Sequence, residues 1–172
     1  MDSTKNIIMT RKSGEVKRMT TTNRLLSPNQ IRLNQSVSSQ QKVFELIGRM
    51  AVEAGIASSA ALVAEGLKQR ELESTTGFQD GFAIPHTQNE AIESPGIIIV
   101  KSNEGIEWNS LDGKPAQFFI ALLIPKEESG NTHIQALASL SRMLIREENR
   151  RALLHAVDEV EVLSKISEAL EQ

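Results

Sequence analysis

Two uninterrupted apolar runs, Gly96 to Lys101 (GIIIVK) and Gln117 to Ile124 (QFFIALLI), constrain the fold of this chain more than any other feature. Each is too short for a free-standing helix and rich in β-branched or aromatic residues. Neither alternates apolar with polar as a half-exposed strand would, so both read as strands covered on two faces. Covering two faces takes helices on both sides of a sheet, and the rest of the chain supplies them. The expected fold is α/β, a three-layer sandwich with a mixed central β-sheet and helices on both faces.

Before these strands, Ile31-Arg32-Leu33 suits a small strand, and Ser38-Ser39-Gln40-Gln41 reads as a capping box. Val43, Phe44, Ile47, Met50, Ala51 and Ala54 follow at helical spacing until Gly55 stops the helix. A second helix is expected over about 59–71, with Arg70 near its C-terminal end. Phe82-Ala83-Ile84 reads as a short buried strand that Pro85 and His86 end in a loop, and Asn103-Glu104-Gly105 and Asp112-Gly113 as turns around Trp108. The last third reads as three helices. The first opens at Asn131-Thr132 with Thr132 as its N-cap, the second runs from about Glu148 through Val157, and the third starts at the capping box Asp158 to Glu161.

The 172 residues suit one domain over 28–172 behind a basic leader at 1–27. The leader shows no periodicity and carries Lys5, Arg11, Lys12, Lys17, Arg18 and Arg24 against Asp2 and Glu15, so it is expected to be flexible. It lacks the apolar core of a signal peptide, and no run of about 18 apolar residues occurs to span a membrane. A formal charge of −3 with one Trp, five Phe and no Tyr argues against nucleic-acid binding. The absence of cysteine excludes disulfides, thiolate metal sites and a thiol nucleophile.

That leaves three histidines, His86, His133 and His155, for near-neutral chemistry. His86 follows a proline at the end of a buried strand, where α/β proteins gather ligands. His133 lies in the first turn of a helix, where open amides attract an anion and disfavour a charged imidazole; an exposed first-turn residue is the alternative. His155 sits mid-helix between Leu154 and Ala156 and reads as structural. Arg70 can grip phosphate oxygens with paired donors, unless it is spent on an ion pair with Glu71 or Glu73; Glu71 is expected to orient it. The signatures HExxH, GxSxG, GxxxxGK[ST] and GxGxxG are absent, so zinc, a serine hydrolase, ATP and NAD are not suggested.

Arg70-Glu71, then Ser74 to Gly77, then Gly81-Phe82-Ala83-Ile84-Pro85-His86 together resemble the phosphorylation-site signature of enzyme IIA components of the bacterial sugar phosphotransferase system (PTS), fructose/mannitol type. The resemblance continues through Gly105 to Pro115, Leu123-Ile124-Pro125 and Asn131 to Leu137, and covers about 28–170. It implies a PTS EIIA type-2 domain in the cytoplasm, a phosphotransferase component without cofactor or metal. His86 accepts phosphate as the nucleophile, His133 positions it and Arg70 stabilises its charge. The implied donor is HPr, the acceptor is a cysteine of a IIB component, here a separate polypeptide, and a IIC membrane permease is served indirectly. A nitrogen-type regulatory IIA protein is the alternative, though the Glu107 to Pro115 stretch looks more like the fructose carriers. Thr87 stands where the family usually has glycine, and Gln79-Asp80 where a glycine-containing pair is usual. Phe78, Phe82 and Ile134 are candidates for an apolar rim that receives the partner proteins.

Overall fold

In the computed structural model the two apolar runs pair antiparallel along the middle of a five-stranded mixed sheet. The structure describes residues 25–128 and 130–171; of residues 1–24 it describes only the backbone of four two-residue strands. The expected flexible leader therefore lies almost wholly outside the described residues. Its last residues do not: Leu25 and Leu26, each 2 % exposed, pack into the core.

A 3-10 turn at Pro28–Gln30 leads into β1 (Ile31–Gln35), followed by α1 (Gln40–Glu53) and α2 (Ala60–Glu73). Next come β2 (Phe82–Ala83), β3 (His86–Asn89), β4 (Gly96–Ile106) and β5 (Ala116–Pro125). Three helices complete the domain: α3 (Thr132–Ile145), α4 (Glu147–Leu154) and α5 (Glu159–Leu170). β1 lies parallel to β4, β4 antiparallel to β5, and β2 and β3 parallel to β5.

The apolar runs divide between the two faces as a strand must. Ile98, Val100, Phe119, Ala121 and Leu123 face α1 and α2, while Ile97, Ile99, Phe118, Ile120, Leu122 and Ile124 face the three C-terminal helices. Each of these larger side chains stabilises the fold by roughly 2 kcal/mol on burial. Trp108 closes the first core, edge-on to Phe44 with centroids 5.5 Å apart and 4.7 Å from Phe119.

The first capping box shifts by one residue. Ser39 accepts from the Lys42 amide at 3.1 Å, and Gln41 donates instead to Glu45. At Asp158 the cap forms, with Asp158 accepting from the Glu161 amide at 3.0 Å, while the Glu161 carboxylate reaches one residue past the cap and accepts from the Val157 amide at 2.9 Å. Asn131, not Thr132, occupies the N-cap of α3, with no side-chain cap bond; the second C-terminal helix ends at Leu154 with His155 as its C-cap. The turn expected at 103–105 is instead the irregular far end of β4, held in the strand by its pairing with β5 at Ile106 and Ala116.

The largest departure concerns His86, which lies on a strand and not in a loop. Phe82 pairs with Phe118, Ala83 with Phe119, His86 with Leu122 and Asn89 with Pro125, so β2 and β3 run along β5 in one register. Pro85 interrupts the edge without shifting it, as proline can on an edge strand.

Candidate active site

The interruption at Ile84-Pro85 sets the state of the His86 ring. In the gap, Ile84 turns away from the sheet: its amide donates to the Thr76 carbonyl at 3.0 Å, and its carbonyl lies 2.8 Å from His86 Nδ1. Since a carbonyl only accepts, Nδ1 carries the proton and the lone pair resides on Nε2. Burial lowers the His86 pKa below its ordinary 6.5, the Ile84 hydrogen bond opposes this, and the nearby Arg70 charge adds to the lowering. The ring is therefore neutral at pH 7, with a nucleophilic nitrogen at Nε2.

The residues leading to Ile84 form a connected framework. Glu71 accepts from the Thr76 amide and from the Thr76 hydroxyl, both at 2.6 Å, and that hydroxyl in turn accepts from Trp108 Nε1 at 3.4 Å. Glu71 thus holds the loop that holds Ile84, and does not orient Arg70 as expected. The Arg70 guanidinium donates to the Ser74 carbonyl at 2.9 Å, closing the end of α2. Among the described residues it forms no ion pair with Glu71 or Glu73.

Arg70, His86 and His133 line one cavity of about 380 Å³ that wraps around β3. On one side stand His86, Gln88, Leu122, Ile124, His133 and Leu137; on the other α2 contributes Gly66, Gln69, Arg70 and Glu73. His133 lies in the first turn of α3, whose N-cap makes no side-chain bond, and its Nδ1 is buried with no hydrogen-bond partner among the described residues. The positive end of the helix dipole and a guanidinium on opposite sides of a neutral imidazole make a cavity suited to an anion on Nε2. No group of three or more potential metal ligands occurs among the described residues. His155 stands outside the cavity, with Nδ1 donating to the Arg151 carbonyl at 3.0 Å.

The family model described as phosphoenolpyruvate-dependent sugar phosphotransferase system, EIIA 2, matches residues 24–169. The chain belongs to the PTS EIIA type-2 family. Within it, the chain is 33 % identical over 141 residues to a fructose-specific EIIA component of Haloferax volcanii, covering 82 % of this chain and 91 % of that protein. It is likewise 33 % identical over 144 residues to a fructose-specific EIIABC component of Bacillus subtilis; there it covers 84 % of this chain but spans only 22 % of the relative. Among solved structures, the nitrogen regulatory protein IIA-Ntr of Neisseria meningitidis superposes with a TM-score of 0.77 at 27 % identity, over 83 % of this chain and 96 % of that one.

In this EIIA protein Thr87 lines the same cavity as His86 but from the other side of the strand: its partner Leu123 belongs to the opposite face, and its Oγ1 packs against Gly66 of α2. The apolar rim departs from the sequence expectation. Of the three proposed rim residues only Ile134 is exposed, at 58 %. Phe82 is 1 % exposed and stacked 5.0 Å from Phe118, and Phe78 packs half-buried on the same core. Leu62 and Leu72 of α2, the helix that carries Arg70, are also exposed, but neither lines the cavity. Gln88 was missed with the strand that carries it; a strand starting at His86 puts residue 88 on the same side two positions on.

Proposed function

We propose that this protein carries phosphate on His86 between HPr and a IIB component of the sugar phosphotransferase system. The observation that carries the reading is the Nδ1–Ile84 bond, which leaves Nε2 as the nucleophile in a cavity shared with Arg70 and His133. Nε2 attacks the phosphorus of the donor phosphohistidine in line; the new P–N bond forms as the bond to the donor imidazole breaks, and that ring leaves with the lone pair. Attack drives positive charge onto the His86 ring, and the Ile84 carbonyl, already placed on Nδ1–H, stabilises it. Arg70 neutralises the equatorial oxygens. His133, whose ring is held by no hydrogen bond among the described residues, turns an N–H toward them.

Onward transfer requires a cysteine, and the chain has none, so the acceptor lies outside these 172 residues. Fructose-class sugar uptake is the role supported by the Haloferax and Bacillus relatives. A regulatory role, in which phosphorylation of the same histidine controls a partner protein, is supported by the Neisseria structure.

Incubation with phosphoenolpyruvate, enzyme I and HPr is expected to label the wild type and leave His86→Ala unlabelled; label retained by that variant would overturn the assignment. His133→Ala is expected to accept phosphate and to pass it on slowly. Rapid transfer from the labelled wild type to the cysteine of a fructose-class IIB domain supports uptake, and its failure across a panel of IIB domains leaves the regulatory role.

A further inference from the structure

We propose that Gln88 is a positioning residue that sets His133 against His86, an inference that rests on the carrier reading above. Gln88 follows His86 by two residues along β3 and so projects from the same side of the sheet edge. Its side chain is exposed yet tied down. Nε2 donates to the Pro125 carbonyl at 3.0 Å and lies 3.4 Å from the carbonyls of Lys126 and Glu128. Three carbonyls around one terminal group require the amide nitrogen there, since none of them can donate.

Pro125 ends β5, and Lys126 and Glu128 lie in the connection from it to α3, whose first turn carries His133. Among the described residues the backbone of this connection makes two further bonds: the Lys126 amide donates to the Asn89 carbonyl at 3.1 Å, and the Glu128 amide to the Pro125 carbonyl at 3.1 Å. Asn131 adds no side-chain cap. With no hydrogen bond to its Nδ1 among the described residues, His133 stands wherever the start of α3 puts it. Gln88 therefore ties the strand bearing the nucleophile to the segment that leads into the helix bearing the positioning ring, and Gln88 and His133 line the same cavity.

Gln88→Met keeps side-chain length and neutrality while removing the donor, at a site exposed enough that folding does not depend on it. In the full chain, the His133 ring resonances are expected to move in this variant while those of His155 stay in place. Transfer from labelled protein to a IIB cysteine should slow about tenfold, the effect of losing roughly one net hydrogen bond at the site. In a His133→Ala background the same substitution should cost less than about twofold, because the residue it acts through is gone. Unmoved His133 resonances, or a Gln88→Met penalty that multiplies fully with His133→Ala, would overturn the proposal. Failure of the wild type to take label at His86 would instead defeat the carrier reading, and the ring resonances would still decide whether Gln88 places His133.

Discussion

Proline at position 85 has no amide proton, so the edge ladder breaks there, and the break turns the Ile84 carbonyl onto the His86 ring. The same ring is partly withdrawn from water beside the Arg70 charge, and both effects lower its pKa. Between that lowered value and 6.5 the unfolded chain binds more protons than the folded one. Stability contributed by the neutral ring is therefore complete above 6.5 and declines as pH falls through the window. Arg70→Ala removes one of the lowering charges, so the His86 pKa should rise in an NMR titration. Phosphate acceptance should meanwhile fall by about a hundredfold, the usual cost of removing a donor aimed at developing charge. A pKa that stayed put would show that Arg70 does not face the ring. That His86, His133 and Arg70 come together in one cavity was legible in part because histidine is rare in this chain and each of the three stands beside a break in periodicity. The work of Glu71 was not, since the donors nearest a carboxylate in space, here the amide and hydroxyl of Thr76, need not be its nearest cation in sequence.

Helix α2 reaches β3 at Gly66, where an added Cβ would stand 2.5 Å from both Thr87 Oγ1 and Asn89 Nδ2. Asn89 cannot retreat freely, because its Nδ2 donates to the Leu62 carbonyl at 3.1 Å and its Oδ1 accepts from the Ala91 amide. Alanine in mid-helix gains about 1 kcal/mol of propensity over glycine, whereas overpacking a close contact costs about 1–3 kcal/mol, so the clash wins. Gly66→Ala should destabilise the protein by about 1 kcal/mol in urea unfolding and slow phosphate acceptance, since Arg70 lies one turn further along α2. Adding Thr87→Ala should restore part of both losses. Threonine at position 87 thus meets α2 at the close approach of that helix to the strand. The strand it belongs to escaped sequence reading because HTQN has no apolar alternation: an edge strand facing a cavity takes its backbone order from its neighbour β5.

Across the whole domain, the loop before the site is pinned to the C-terminal helices by Asp80. Its carboxylate meets Lys114 Nζ and Arg150 Nη2, each at 2.8 Å, and its amide donates to Asp112 at 2.8 Å. Lys114 and Arg150 hold the Asp80 carboxyl below the usual carboxylate range, with the Lys114 hydrogen bond the largest cause. Arg150 is 6 % exposed and also donates to the Leu144 and Ile145 carbonyls, closing the far end of the helix whose first turn holds His133. Arg150→Met fills the same space and removes all three bonds. Because Asp80 remains partly solvated and keeps Lys114, the expected loss is about 2 kcal/mol, below that for a fully buried pair, and thermal unfolding will measure it. An unchanged midpoint would show that the apolar replacement repays the pair, as happens where desolvation dominates.

Periodicity and composition by themselves determined the layers of this protein: two strands apolar on both faces, helices with one apolar stripe, and no thiol chemistry. These are properties of local segments, written in the spacing of side chains and independent of what lies far along the chain. The register of β2 and β3 on β5, the turn of Ile84 toward the ring, the reach of Gln88 to a loop 37–40 residues away and the Asp80–Arg150 bridge were decided only by the tertiary structure. All but the turn at Ile84 join polar groups of distant segments, and a polar group's partner is chosen by which surfaces the apolar core brings together.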